Sequence, residues 1–478
     1  MSRKLLFDDL KQSVGKSIVF SKSVQQLDLD LSASFICEEA IEKFEAYSKK
    51  LQLVEAYKTS LVDNQLNCFE QRSVNHHQLR ELNTGYYLEQ HQALMTFTQA
   101  VFNRTHPDFK DITDVVQIGI GGSYLGPLCV YNAFCDYSTQ HNITQRCKAH
   151  FVANLDPWEL QTVLKELDIK RTLFIIVSKS GSTMETQVNV ELLQEYIKDY
   201  SMSQQDLAGQ CVAVTMKGSL LDTDDVAKYR FYIDETIGGR FSVTSPIATC
   251  LLGICFGQDC VEQFLQGALL MDQNAAESNF LNNLSLLSAW EVVWQHTVCG
   301  YSTRVVACYS HALRYFSNYL QQLGCESNGK SVDRKRRFVD YSTSPLIVPA
   351  VGTNDQHSFF QLLHQGTAVF PVEFLGVKQL VGHLAIQQAA NKKLNANLKA
   401  QIEALKEGCV DDDPNKVFFG KRPSSLLMLD FLTPSSIGQL VAFYENRVMF
   451  EGFILNINSF DQEGVQLGKV LTNKLLQE

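Results

Sequence analysis

Long apolar runs are missing from this sequence. Stretches such as 173–177 and 426–429 fall far short of the roughly 20 residues a membrane-spanning helix needs, so no span is expected. A surplus of positive charge is missing too. Lys and Arg number 42 against 52 Asp and Glu, a net charge of −10, which argues against a general nucleic-acid binder because neutralising phosphates takes spare cations. A small anion is not excluded, since a local pocket of amides and a few cations can hold one. The thirteen cysteines include no CxxC pair, and Cys250, Cys255 and Cys260 recur among apolar neighbours at a spacing that common zinc and iron–sulfur sites do not use. They read as buried thiols in a reducing compartment, so a cytoplasmic location is expected. There is no HExxH motif, clustered ligand set, low-complexity stretch or short repeat, and no metal or cofactor is expected. The opening MSRKLLFDDLKQS carries acids within ten residues and lacks an apolar core, so it does not read as a signal peptide.

What is present is an ordinary globular composition, 478 residues and 45% hydrophobic, long enough for two or three cores. Residues 1–105 read as helical, with Phe35, Ala40, Ile41, Phe44 and Tyr47 at helical spacing. From Asp114 short apolar strands alternate with helical stretches: 115–118, the strand before 178, and CVAVTM at 211–216. A second such region starts near Leu286. It holds a helix with Trp290 and Trp294, the strand TRVVACYS (303–310), the helix-patterned 311–323, strands at 367–375 and 425–432, and a long helix over 435–455. The pattern predicts an α/β protein with parallel sheets covered by helices. The expected divisions are a helical segment 1–105, α/β units 106–280 and 281–455, and a C-terminal segment 456–478.

Two glycine-rich turns could hold a phosphate. IGIGGSYLG (118–126) follows a strand and opens a helix, but Tyr124 fills the third glycine position of a dinucleotide fingerprint. Alone it fits a tight structural turn as well as an anion contact. In the second turn Ser178, Lys179, Ser180, Gly181, Ser182 and Thr183 come straight off a strand, with Thr186 on the incoming helix. Plain N-capping needs one hydroxyl, and five are available, so a phosphate at this helix start is the better reading.

GCESNGKS (324–331) matches the nucleotide P-loop pattern GxxxxGK[ST] letter for letter. That pattern requires a buried strand before it and a helix after it. Here the preceding segment has helical period and the following VDRKRRFVDY is charged, which sets the P-loop aside. Gly324 is expected to end the helix as a left-handed cap, with Gln322 in the last turn and Glu326 in the loop beyond.

Five segments together resemble the phosphoglucose isomerase family. They are IGIGGSYLGP (118–127), SKSGSTMET (178–186), GGRFSVTSPIA (238–248), the pair LQQLGCESNGK (320–330) with GTNDQHSFFQLLHQGT (352–367), and INSFDQEGVQLGK (457–469). The resemblance implies two α/β/α sugar-isomerase domains and interconversion of glucose 6-phosphate and fructose 6-phosphate through a cis-enediol. It implies Glu326 as the base between C1 and C2, Arg240 beside the enediolate, and His357 with Lys469 in ring opening. Gln322, Gln462, Gly122 and Ser123 match substrate contacts. Ser178, Ser180, Thr183 and Thr186, within the turn that also holds Lys179, Gly181 and Ser182, match phosphate binders. A homodimer is implied, with the histidine reaching the partner's site. Gly181 stands where animal-type members carry a bulkier side chain, so a differently shaped turn is expected.

These residue types suit the chemistry. A carboxylate can carry a proton between adjacent carbons, a fixed guanidinium favours the charged enediolate over neutral sugar, and an unreactive phosphate anchors the substrate. A non-catalytic phosphosugar-binding module would need the 178–186 turn but not Glu326, His357 and Lys469 together.

Overall fold

The computed structural model describes residues 2–62, 66–82, 87–381 and 384–477. Its first strands form a hairpin, β1 (Ser21–Val24) and β2 (Leu27–Asp30). Five more follow as β3 (Asp114–Ile118), β4 (Lys148–Val152), β5 (Thr172–Val177), β6 (Cys211–Thr215) and β7 (Tyr229–Tyr232). The rest are β8 (Thr303–Tyr309), β9 (Leu346–Val351), β10 (Val372–Gln379) and β11 (Ser424–Phe431). One sheet is parallel throughout, ordered β4-β3-β5-β6-β7. The other is ordered β1-β2-β11-β10-β8-β9, parallel from β11 to β9 and closed on one side by the antiparallel hairpin.

Every residue of β5 and β6 is buried, because helices cover both faces of the sheet. Alternate side chains then serve different cores. Leu173, Ile175 and Val177 of β5 face a central core, and Phe174 and Ile176 face an outer one. In the second sheet Val306 and Cys308 of β8 join the same central core, whereas Val305, Ala307 and Tyr309 face a separate outer layer. The two sheets are therefore bonded through one shared interior, filled by the helices Pro246–Phe256, Gln258–Ala275, Leu284–Val293 and Pro434–Leu455. The window Gly239–Phe256 has the length and hydropathy of a membrane span, but 89% of it is buried in this core.

The long helix begins where its sequence dictates. Thr433 accepts from the Ser436 amide, Ser436 Oγ accepts in return from Thr433 N–H, and Pro434 occupies the first turn, where its missing N–H costs nothing. Asn456 ends it in the left-handed conformation (φ 58°).

Two expectations need correction. The N-terminal segment is not wholly helical, because 21–30 forms the hairpin, with Leu27 and Leu29 buried and the turn made at Gln25 (φ 56°). Four-residue strands are too short for periodicity to separate from helix, and Gln-Gln lacks the Asn-Gly or Asp-Gly signature of a two-residue turn. Gly324 is not a cap. The helix Phe316–Asn328 runs through it, and a Cβ there would lie 2.7 Å from Ile347 Cδ1 on β9, so glycine permits close helix–strand packing. Glu326 consequently sits in the last helical turn, four residues after Gln322.

Candidate active site

The end of β3 breaks into a 3₁₀ turn, Gly121–Ser123, before the helix Leu125–His141. A Cβ on Gly122 would stand 2.0 Å from the Gly239 carbonyl oxygen, so this turn lies directly on the 3₁₀ turn Gly239–Phe241 that carries Arg240. A Cβ on Gly119 would lie 2.9 Å from Val177 O, which sets the same turn beside the end of β5. Gln322 reaches it from the helix Phe316–Asn328, its Nε2 3.1 Å from a Cβ built on Gly121. Three segments of the first sheet and one helix of the second thus meet at a single point.

The hydroxyl turn leaves β5 there. Ser178 Oγ lies 3.0 Å from Thr183 Oγ1 and accepts from the Gly181 amide, and Ser180 Oγ lies 2.8 Å from Ser182 Oγ. Gly181 takes φ +71°, and a Cβ would come within 2.9 Å of Leu220 N. That accounts for glycine where a bulkier residue was the family expectation. Thr183 occupies the N-cap position of the helix Met184–Tyr196, yet its hydroxyl accepts no helix amide. Thr186 Oγ1 is buried without a partner among the described residues. Both observations weigh against simple capping and leave donors for an anion. The Lys179 ammonium points elsewhere, donating to Glu235 O (2.8 Å) and Ile237 O (3.1 Å) on the approach to Arg240. Burial, then the charge of Arg72, lowers its pKa to about 8.

Arg240 is 2% exposed and fully engaged. Its Nε donates to Ser327 Oγ (2.6 Å), Nη1 to Gln462 Oε1 (2.9 Å), and Nη2 to Ser459 O (2.6 Å) and Asp461 O (3.0 Å). Nη1 also lies 3.3 Å from Glu326 Oε1. Burial pulls its pKa below the usual arginine value, while Glu326 and Asp461 pull the other way. Glu326 keeps 26% of its side chain exposed, and its second oxygen accepts from Gln322 Nε2 at 3.0 Å. A half-open carboxylate beside a buried guanidinium can exchange a proton with a ligand while charge on that ligand is stabilised.

The structure thus gathers Gly122, Ser123, the 178–186 turn, Arg240, Gln322, Glu326 and Gln462. His357 and Lys469 are not bonded to this cluster. His357 is exposed in the short turn Asn354–His357 after β9, and Lys469 is exposed on the helix Gln466–Leu475; neither makes a hydrogen bond or ion pair with the cluster. Lys330, Ser327, Ser459 and Asp461 belong to the cluster but were not among the expected site residues. Lys330 closes the segment LQQLGCESNGK, and its position four residues beyond Glu326 places it at the same helix end. A helix, not a strand, precedes the P-loop pattern.

A sequence model of the family described as Phosphoglucose isomerase matches residues 30–478. The chain belongs to the phosphoglucose isomerase family. Among relatives in this family, a glucose-6-phosphate isomerase of Borreliella afzelii is 36% identical over 99% of this chain and 94% of its own length. One from Chlamydia muridarum is 45% identical over 76% of this chain and 68% of its own. The crystal structure of a glucose-6-phosphate isomerase from Chlamydia trachomatis superimposes with a TM-score of 0.90 at 34% identity, covering 100% of this chain and 95% of that one. Family membership carries the two-sheet α/β fold seen here.

Proposed function

We propose that this chain is an aldose–ketose isomerase that interconverts glucose 6-phosphate and fructose 6-phosphate, with Glu326 as the base. The observation that carries the reading is the Arg240–Glu326 pair, 3.3 Å apart, with the Arg240 turn packed on the glycine turn that adjoins the end of β5, where the hydroxyl-rich segment begins. The phosphate is held by Ser178, Ser180, Thr183 and Thr186 and by the amides of the turn. Glu326 takes a proton from C2 of the open aldose and returns it to C1, while Arg240 stabilises the enediolate oxygens. General-base action supplies about 10²–10⁴-fold, or about 3–5 kcal/mol, so positioning and Arg240 supply the rest.

Ring opening is assigned to His357 and Lys469, which need delivery to a site. A homodimer in which His357 enters the partner's site meets that need for the histidine. The helix Gln466–Leu475 supports the dimer, since its Leu467, Val470, Leu471 and Leu475 are all exposed on a segment with no buried residue. Two α/β units, 106–280 and 281–455, flanked by 1–105 and 456–478, are the proposed domain division, supported by the two separate sheets. A cytoplasmic location is supported by cysteines that are all free.

The test is a coupled assay of glucose 6-phosphate formed from fructose 6-phosphate. Glu326→Gln is expected to lose at least about 10²-fold in kcat with little change in KM. Retained turnover would remove Glu326 as the base. Phosphosugar binding without turnover in the unaltered protein would favour a sensor.

A further inference from the structure

Lys330 is partly buried beside the cluster, and the mechanism above gives it no task. The helix that bears Glu326 ends at Asn328: Gly329 N–H still makes a helical bond to Cys325 O, but Lys330 N–H goes to Asn328 O and Thr343 Oγ1 and not to Glu326 O. The Glu326 carbonyl is therefore left without a helical amide, as carbonyls in a last turn are. The Lys330 side chain folds back and supplies the donor, its Nζ 3.0 Å from Glu326 O. The same ammonium reaches Asp461 O at 2.6 Å and Asp461 Oδ1 at 2.8 Å. Asp461 is itself buried, its other carboxylate oxygen accepting from Asn458 Nδ2 at 2.9 Å. Its carbonyl is shared with Arg240 Nη2, and the next residue, Gln462, accepts from Arg240 Nη1.

We propose that Lys330 is a positioning residue that clips the backbone of the base to the segment 459–462, fixing Glu326 and Arg240 at one separation. The inference rests on the assignment of Glu326 as the base. Lys330 also completes the charge balance. Arg240 and Lys330 offset Glu326 and Asp461, so without the lysine the site carries an excess negative charge before the enediolate adds its own. The groups facing Glu326 are Arg240 from the 239–241 turn, Lys330 from its own helix end and Asp461 behind that lysine. Glu70 and Arg72 lie further out and act on Arg240.

The experiment compares Lys330→Met, Lys330→Arg and Asp461→Asn by steady-state kinetics across pH, after circular dichroism shows each to be folded. Lys330→Met is expected to lower kcat about 10–100-fold while KM stays within about threefold, because the phosphate turn is untouched. The acid limb of its kcat profile moves to higher pH, since losing a nearby cation makes the carboxylate harder to ionise. Asp461→Asn moves that limb the other way, and Lys330→Arg, which keeps the charge and the donors, recovers most of the lost kcat. A folded Lys330→Met enzyme with unaltered kcat and an unmoved limb overturns the proposal. If the methionine variant does not fold, an unmoved limb and unaltered kcat in Asp461→Asn overturn it instead. Glu326→Gln is run in parallel: activity retained there sinks the base itself, whereas an inactive Glu326→Gln beside a normal Lys330→Met sinks only the clip.

Discussion

Thr183 separates two jobs that a helix-start hydroxyl can have. A capping threonine replaced by alanine costs about 1 kcal/mol of stability. Thr183 sits at the N-cap without capping, its hydroxyl facing Ser178 Oγ across the turn. Thr183→Ala is therefore expected to leave the urea midpoint almost unchanged while raising KM for fructose 6-phosphate about tenfold, the worth of a hydrogen bond to a charged group. A lost midpoint with an unchanged KM would return the residue to a capping role. At this scale the hydroxyl turn was legible in the sequence, because five hydroxyls exceed what a cap needs. Glu326 was not. Its assignment came from family resemblance, since a lone glutamate near a glycine carries no chemistry by itself, and its partner Arg240 lies 86 residues away in sequence.

Between elements, two contacts carry the arrangement. The first is the glycine-on-glycine approach of the 121–123 and 239–241 turns. Gly122→Ala places a methyl where the Gly239 oxygen stands, so the Arg240 turn must retreat. A shift of about 1 Å at such a point costs about 10²-fold in turnover, and the expected loss is in kcat, measured on folded enzyme.

The second contact is Glu373 on β10. It accepts from Arg304 Nε on β8 at 3.1 Å and from Arg447 Nη1 and Tyr444 OH of the long helix at 2.9 and 2.8 Å. Arg304 in turn grips Glu291 on the helix Leu284–Val293. Burial alone would raise the Glu373 pKa, but Arg447 and Arg304 outweigh it and hold it at about 2. Its depressed pKa contributes stability above the usual 4.5, lost as pH falls from there towards about 2. Glu373→Gln should cost about 3–5 kcal/mol in urea unfolding at pH 7, because it removes the buried carboxylate that Arg304 and Arg447 share. Its stability should also fall less steeply than that of the unaltered protein between pH 4.5 and 2. Strands buried on both faces were readable from composition, which is why β3, β5, β6, β8 and the long helix lie close to where they were expected. The hairpin at 21–30 and the true end of the Glu326 helix were not. Glutamines make the turn in one case, and in the other a glycine serves Ile347, 23 residues further on, rather than its own helix end.

For the whole molecule, the proposed dimer would make assembly part of the chemistry, since His357 is exposed on the Asn354–His357 turn. Glu326→Gln and His357→Ala homodimers are each expected to be inactive. Unfolding and refolding them together should restore about a quarter of normal activity, since half of the dimers are hybrids and each hybrid has one intact site of two. No recovery in mixtures that form hybrid dimers would place the histidine in its own chain's site.

The pairing of β2 with β11 joins residues 27–30 to residues 426–429. At about 5–20 residues per second, a ribosome needs about 20–80 s to make the chain between them. Leu27 and Leu29 emerge early and wait that long for their seat beside β11. The second sheet therefore cannot close until β11 has been made, and the nascent amino terminus is the stretch most in need of a chaperone meanwhile.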